Sequence, residues 1–206
     1  MKFKKIENSY ISENTYVIYE ADTALIVDPG SNFEQIDQVL IDNEIKNINI
    51  YLTHGHVDHI KSVNDFVSKY NCPVYVYEDE IQLLESPTMN MSSKMGGDIV
   101  VKNAIGIKDT IDISGWDLKV YHVPGHTSGH SMLYVKKINA LFTGDFIFLN
   151  EIGRCDLPTS SLDKMYESLD TLVNFDPKIE IYPGHGQATS IGYELKNNKY
   201  INRNRL

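Results

Sequence analysis

The stretch "YLTHGHVDHIKS", Tyr51 to Ser62, sets His54, His56, Asp58 and His59 within six positions. Imidazole nitrogen and carboxylate oxygen together suit a borderline divalent cation such as Zn²⁺. One histidine alone is ordinarily a satisfied surface or core residue; three beside an aspartate call for a shared cause. His54 and His56 stand two apart on chain leaving a strand, so their side chains project the same way. Asp58 and His59 are adjacent at the opening of a helix and diverge by about 100°. Four such groups fit two ions side by side, one pair each, better than they fit one.

Two ions need further ligands, and three more motifs offer them. "HVPGHTSGH" puts His126 after a Pro-Gly turn, "LFTGDFIF" puts Asp145 at the end of an apolar strand, and "IYPGHGQ" puts His185 on another Pro-Gly turn. A carboxylate at the end of an apolar strand needs a partner. Five of the seven histidines thus fall at strand ends beside two carboxylates. His122 and His130 flank His126 and are read as non-ligands. Asp28 in "VDPG" either takes the second N–H of a metal-bound histidine or caps its own turn, and Thr53 can support His54 in the same way. Arg154 either pairs with Asp156 or meets a substrate carboxylate. Ser128 in "HTSG" lacks the spacing of a nucleophile elbow and reads as turn chemistry. Cys155 in "GRCDLP" reads as a small turn residue rather than a nucleophile.

The elements that must position these groups are short. "NTYVIYE" and "ALIVDPG" are β-branched, apolar runs, the second stopped by Pro29 and Gly30. Asn32 is expected to cap a helix burying Phe33, Ile36, Val39 and Leu40. "NINIYLT" is a strand that delivers the chain into the histidine cluster. A helical stripe follows on Ile60, Val63, Phe66, Val67 and Tyr70, then a strand over Cys72 to Tyr77. Residues 86–109 have no period; Met89, Met91 and Met95 lie there beside Gly96 and Gly97, either as core packing or as an apolar substrate wall. "DLKVYHVPG", "HSMLYVKK" and "NALFTGD" are strands. Ser160 or Ser161 caps a helix with Leu162, Met165, Tyr166, Leu169, Leu172 and Val173 on one face. "KIEIYPGHG" is a strand, and a last helix covers Ser190 to about Tyr200. Strands followed by helices, with chemical residues at strand ends, predict an α/β layered fold with its site at the sheet rim.

The totals narrow the function. With 206 residues, 42% of them hydrophobic and 23% charged, the chain suits one domain over 1–206 or a tightly fused pair of halves. A net charge of -9 argues against a nucleic-acid partner. The late basic run of Lys196, Lys199, Arg203 and Arg205 is read as a solvated tail. No stretch approaches the roughly 20 apolar residues of a membrane span, and the first residues lack the apolar core of a signal peptide. Two cysteines, Cys72 and Cys155, imply no disulfide framework, so a reducing cytoplasm is the expected compartment. The partner expected is a small molecule, with no nucleic acid and no membrane; oligomeric state is not readable.

HxHxDH at His54–His59, followed by His126, Asp145 and His185, resembles the metallo-β-lactamase superfamily. The phrases "VDPG", "PGHTSGH", "LFTGDFIF", "EIGRCDLP" and "YPGHG" are similar to those of its glyoxalase II-like branch, in the same order. The resemblance implies a four-layer αβ/βα sandwich with the metal site in the cleft between its two sheet halves. It implies that His54, His56 and His126 hold one ion, Asp58, His59 and His185 a second, and that Asp145 bridges them. Zinc is the first expectation for both ions, with iron or manganese as alternatives. In a two-metal site the ions lie about 3.5–4 Å apart and bring the pKa of a bound water to about 7. The implied reaction is hydrolysis of a thioester of the S-lactoylglutathione kind by a metal-bridging hydroxide. Asp58 and Asp145 then count as catalytic, and Arg154 as substrate-binding.

The chain also departs from that branch. Its glutathione-contacting tyrosines are replaced by Asp156 and Gln187, and no C-terminal glutathione-binding helical domain is expected. Persulfide dioxygenases share HxHxDH and the GRxD phrase but use one iron, on residues matching His54, His126 and Asp145. A lactonase on the same fold is a further alternative. A β-lactamase is expected to carry an export signal, and flavodiiron proteins have Glu where His56 stands. A structural zinc module is expected to be rich in Cys, which this chain is not.

Overall fold

The computed structural model describes residues 1–8, 11–95 and 97–203 and divides into two compact units, Met1–Ile107 and Lys108–Leu206. The expectations that touched Gly96 and Arg205 lie outside the described residues.

The first unit carries a six-stranded mixed sheet in sequence order: β1 (Lys2–Glu7), β2 (Asn14–Glu20), β3 (Thr23–Val27), β4 (Asn47–Leu52), β5 (Val74–Tyr77) and β6 (Ile105–Ile107). The first three strands run antiparallel as hairpins; β3 to β6 are parallel. Parallel neighbours require crossovers. These are supplied by α1 (Phe33–Asp42), then α2 (Val57–Ile60) with α3 (Val63–Tyr70), and then α4 (Ile81–Leu84) with the irregular segment. β3 is buried along its whole length, which explains its unbroken apolar run; edge strand β1 is mostly exposed. The core packs Ala24, Ile26, Ile50, Leu52, Val74 and Val76 of the sheet against Ile36, Val39, Leu40, Val63 and Phe66 of the helices. Burying each such aliphatic side chain is worth about 1.5–3 kcal/mol.

The second unit's sheet has the order β14-β13-β10-β9-β8-β7. It is built from β7 (Thr110–Ile111), β8 (Leu118–His122), β9 (Ser131–Val135), β10 (Ala140–Gly144), β13 (Glu180–Pro183) and β14 (Thr189–Ser190). A small hairpin of β11 (Ile147–Phe148) and β12 (Glu151–Ile152) follows β10. Among the described strands of this sheet only β10 and β13 run parallel; their connection contains α5 (Leu162–Asp170). The chain finishes with α6 (Ile191–Asn197). Met165, Leu169, Leu172 and Ile191 pack on Met132, Leu141 and Ile181.

Several expectations need correction. Asn32 stands at the N-cap of α1 in a left-handed conformation without a side-chain cap; its amide donates to the Glu7 carbonyl at 3.2 Å instead. Of the two caps expected for α5, Ser161 is the one found, accepting from Lys164 N at 3.3 Å. Leu162 and Val173 do not share the buried face, being 47% and 65% exposed: Leu162 sits at the first position, and the helix tightens into a 3₁₀ turn over Thr171–Asn174 that rotates Val173 outward. The last helix stops at Asn197, where Asn198 turns extended and its amide binds Glu194 Oε2 and the Glu151 carbonyl. The basic run is not a free tail. Lys199 pairs with Glu151 at 2.9 Å, and Arg203 grips Asp170 through both carboxylate oxygens over the Tyr166 ring.

Residues 86–109 are organised around buried Asn90. Its amide donates to the Ile99 carbonyl at 2.9 Å, its Oδ1 accepts from Ser92 N at 3.0 Å, and its own carbonyl accepts from Val57 N at 2.9 Å. Met89, Met91 and Met95 are all half-buried, and none of the three belongs to the buried core.

Candidate metal centre

In the first unit the chemistry gathers at the carboxyl ends of β3 and β4, which are parallel neighbours. Asp28 leaves β3 at φ 51°, a left-handed conformation that Asp tolerates better than most residues. Its amide is held by the Tyr51 carbonyl and its own carbonyl by Thr15 Oγ1 at 2.7 Å. The buried carboxylate then takes three donors: Thr53 N at 2.8 Å and Thr53 Oγ1 at 2.7 Å, with His59 Nδ1 at 3.0 Å. Because the Thr53 hydroxyl proton goes to Asp28, its oxygen is the acceptor for His54 Nδ1, 3.1 Å away. Both rings are thereby gripped at Nδ1, and Nε2 is the atom each presents elsewhere. One atom from each of Asp28, His54 and His59 lies within 4.8 Å of the others. With both oxygens engaged by donors, Asp28 holds the His59 ring directly and the His54 ring through Thr53.

His56 and Asp58 complete this half. The rings of His54 and His56 are 4.9 Å apart, and His54 and His59 are 4.1 Å apart. Asp58 and His59 open α2, a single turn, and their expected divergence still leaves Asp58 Oδ2 3.9 Å from His59 Nε2. All three histidines are buried, and Asp58 is half-buried.

The second unit repeats the device on its own parallel pair. β10 ends at Gly144 and delivers Asp145; β13 ends at Pro183 and delivers His185 through "YPGHG". His126 arrives on the loop between β8 and β9. Asp145 Oδ2 lies 3.6 Å from His126 Nε2 and 3.6 Å from His185 Nε2. That is too long for a hydrogen bond. It is the separation expected of ligands sharing an ion at the usual 2.0–2.2 Å bond lengths, roughly tetrahedral. His126 Nδ1 donates to the Arg154 carbonyl at 2.8 Å, so this ring too presents Nε2.

Other residues fall around this core. His130 is buried, and its Nε2 accepts from Asp145 N at 3.1 Å, placing it behind the carboxylate. His122 is exposed and meets the Ser128 carbonyl at 2.9 Å. Arg154 forks onto Asp156 at 2.6 and 2.8 Å, and each raises the other's charged character, lowering the Asp156 carboxyl and raising the Arg154 guanidinium. Burial pushes the Cys155 thiol up, away from the thiolate a nucleophile needs.

Sequence reasoning missed the groups that act through backbone. The Arg154 carbonyl, rather than its side chain, touches His126. Gly153 lets that strap lie down: a Cβ there would collide with the Asp145 carbonyl oxygen and stand 3.2 Å from His126 Nδ1. Glu13 and Glu80, both fully buried, were also missed. No local signal marks either: Glu13 stands among neutral residues in "ISENTY", and Glu80 in the acidic stretch "YEDE".

The donor set fits divalent cations. Nitrogen and carboxylate oxygen predominate, no cysteine takes part, and three of the rings are held at Nδ1, as metal-binding histidines are. Comparisons with known proteins agree. A model of the metallo-β-lactamase superfamily matches residues 11–185. The chain is 31% identical to a probable metallo-hydrolase of Streptococcus pyogenes over 98% of this chain and 90% of that one. It is 26% identical to hydroxyacylglutathione hydrolase GloC of Haemophilus influenzae, over 98% and 99%. The crystal structure of BLEG-1 B3 metallo-β-lactamase superposes with a TM-score of 0.90 at 31% identity, covering 97% of this chain and 99% of that one. That of TTHA1623 in a di-iron-bound form gives 0.86 at 27%, covering 96% and 99%. The expected α/β fold, with two mixed sheets, is thus found.

Proposed function

Since the chain belongs to the metallo-β-lactamase superfamily, we propose that it is a metal-dependent hydrolase of thioesters, of the hydroxyacylglutathione type. The observation that carries the reading is Asp145 Oδ2, 3.6 Å from both His126 Nε2 and His185 Nε2, a carboxylate set to be shared between cations. In this reading His54, His56, His126, Asp58, His59, His185 and Asp145 would hold the ions. Bound divalent ions supply Lewis acidity and a water acidic enough to react near neutral pH.

The chain's own residues do the rest. Asp28 and Thr53 lock the His54 and His59 rings, and the Arg154 carbonyl locks His126. Asp58, more open to solvent than the histidines of its unit, offers a carboxylate oxygen to the proton of an incoming water. Hydrolysis breaks the acyl carbon–sulfur bond, joins water oxygen to the acyl carbon and returns a proton to the thiol. Support for the substrate class comes from the likeness to GloC. The Arg154–Asp156 pair leaves the guanidinium 63% exposed, where it can meet a substrate carboxylate.

The test is a thioesterase assay beside elemental analysis of protein purified without added metal. Expected are two metal ions per chain, zinc or iron, and turnover of S-lactoylglutathione-like esters that a chelator abolishes and metal restores. Asp58→Ala should lose turnover and remain folded. A metal-loaded protein inert on thioesters but active on a β-lactam or a lactone would replace the substrate. One iron per chain with oxygen uptake on a persulfide would replace the reaction.

A further inference from the structure

Glu80 closes a short 3₁₀ turn, Glu78–Glu80, immediately before α4, and is fully buried. Taking a carboxylate out of water is costly unless a partner or a nearby cation compensates it. Its Oε1 accepts from Gly55 N at 2.9 Å, the amide of the residue between His54 and His56. The contact is tightly built. A Cβ on Gly55 would stand 2.6 Å from Leu83 Cδ2 and 3.0 Å from Leu84 Cδ2, so α4 brings the apolar wall while the residue before it brings the acceptor. On the other side of His56, Val57 N is held by the Asn90 carbonyl. Both neighbours of His56 therefore hang on the Glu80–Asn90 segment, which the mechanism does not otherwise use.

We infer that Glu80 is a positioning residue for the metal centre: it fixes the His54–Gly55–His56 peptide and sets a buried negative charge behind the two rings, so that a bound dication is favoured. This rests on the reading of His54 and His56 as metal ligands. A residue that merely helped the fold would affect the metal-free protein as much as the loaded one, and the two cases separate by experiment.

Metal affinity is measured by chelator competition with Zn²⁺ and Fe²⁺ on the full chain, beside the thermal midpoint of the metal-free protein. Glu80→Gln keeps an oxygen acceptor for Gly55 N and removes the charge. It should weaken metal binding about 10–100-fold, the usual cost of losing a group behind a ligand, while the metal-free midpoint stays level or rises. Glu80→Ala should weaken binding further and lower that midpoint as well. Unchanged affinity in Glu80→Gln overturns the inference, as does a lost metal-free midpoint in that variant with affinity intact. A wild-type chain that takes up no metal overturns the ligand reading itself, and that result is distinguishable because it needs no variant.

Discussion

Asp28 and Glu13 lie in the same unit and show how environment divides two carboxylates. Asp28 takes three donors, two of them from Thr53. Glu13 is fully buried with Oε1 lacking a hydrogen-bond partner among the described residues; Oε2 takes only the Thr15 hydroxyl, at 3.3 Å. Burial pushes the Glu13 carboxyl well above its ordinary 4.5; His59 and Thr15 oppose the rise, and the charges of Asp28 and Asp58 add to it. A carboxyl raised on folding favours the neutral form, so its contribution is present below the unfolded value and is lost as pH rises through the folded one. The metal-free protein should therefore lose stability as pH rises from that ordinary value through neutrality, and Glu13→Gln should flatten that slope. Thermal melts in chelator across that range decide it; parallel slopes in the two proteins refute it.

At the scale of elements, each unit uses one parallel strand pair in the same way. β3 and β4 bring Asp28 to the Thr53–His54 segment; β10 and β13 bring Asp145 to His185. Parallel strands end at the same edge, which is where α/β proteins gather their polar groups. The second unit adds a strap, Gly153–Arg154, whose carbonyl orients His126. The strap follows the β11–β12 hairpin, which buried Glu194 anchors to α6 by accepting from Asn150 N at 3.0 Å. Gly153→Ala forces the strap off the Asp145 carbonyl. It should cost about 1–3 kcal/mol, as overpacking does, and weaken metal binding because His126 loses its Nδ1 partner. Denaturant unfolding and metal titration check both; a variant that keeps wild-type values in both would show that the strap moves freely.

At the scale of the molecule, the proposed ligands divide four to three between the two units, and the chain carries a net charge of -9. Clustered acceptors with no cation are a burden on the folded state; ions that bind only the folded state relieve it. Metal at about 100 times its Kd should add about 2.7 kcal/mol of stability, a rise in Tm of roughly 5–11 °C for a chain of this size. Calorimetry with and without Zn²⁺ reads it directly, and a midpoint indifferent to metal and chelator would remove the case for a metal centre. No helix among the described residues is long and apolar enough to cross a membrane.

Much of this was legible in the chain itself. The kinds of residue, their order and their placement at strand ends follow from local rules: apolar runs of strand length, Pro-Gly turns, a three-and-four helical stripe. Those rules found β3, β4, β8, β9, β10 and α3 within a few residues. They faltered where neighbours in space decide. Leu162 and Val173 fit the helical period but lie outside the packed face, and Lys199 and Arg203 found acidic partners far away in sequence.

What sequence alone determined is the donor inventory, because side-chain chemistry and turn-forming residues are properties of a few adjacent positions. What only the tertiary structure decided is who meets whom. Asp145 and His185 sit side by side because β10 pairs with β13 across forty residues, and Glu80 reaches Gly55 because α4 packs where a side chain at 55 would be. Arg154 turns its guanidinium to Asp156 and its carbonyl to His126. Strand pairing and packing choose such partners through contacts distant in the chain, and no local pattern encodes them.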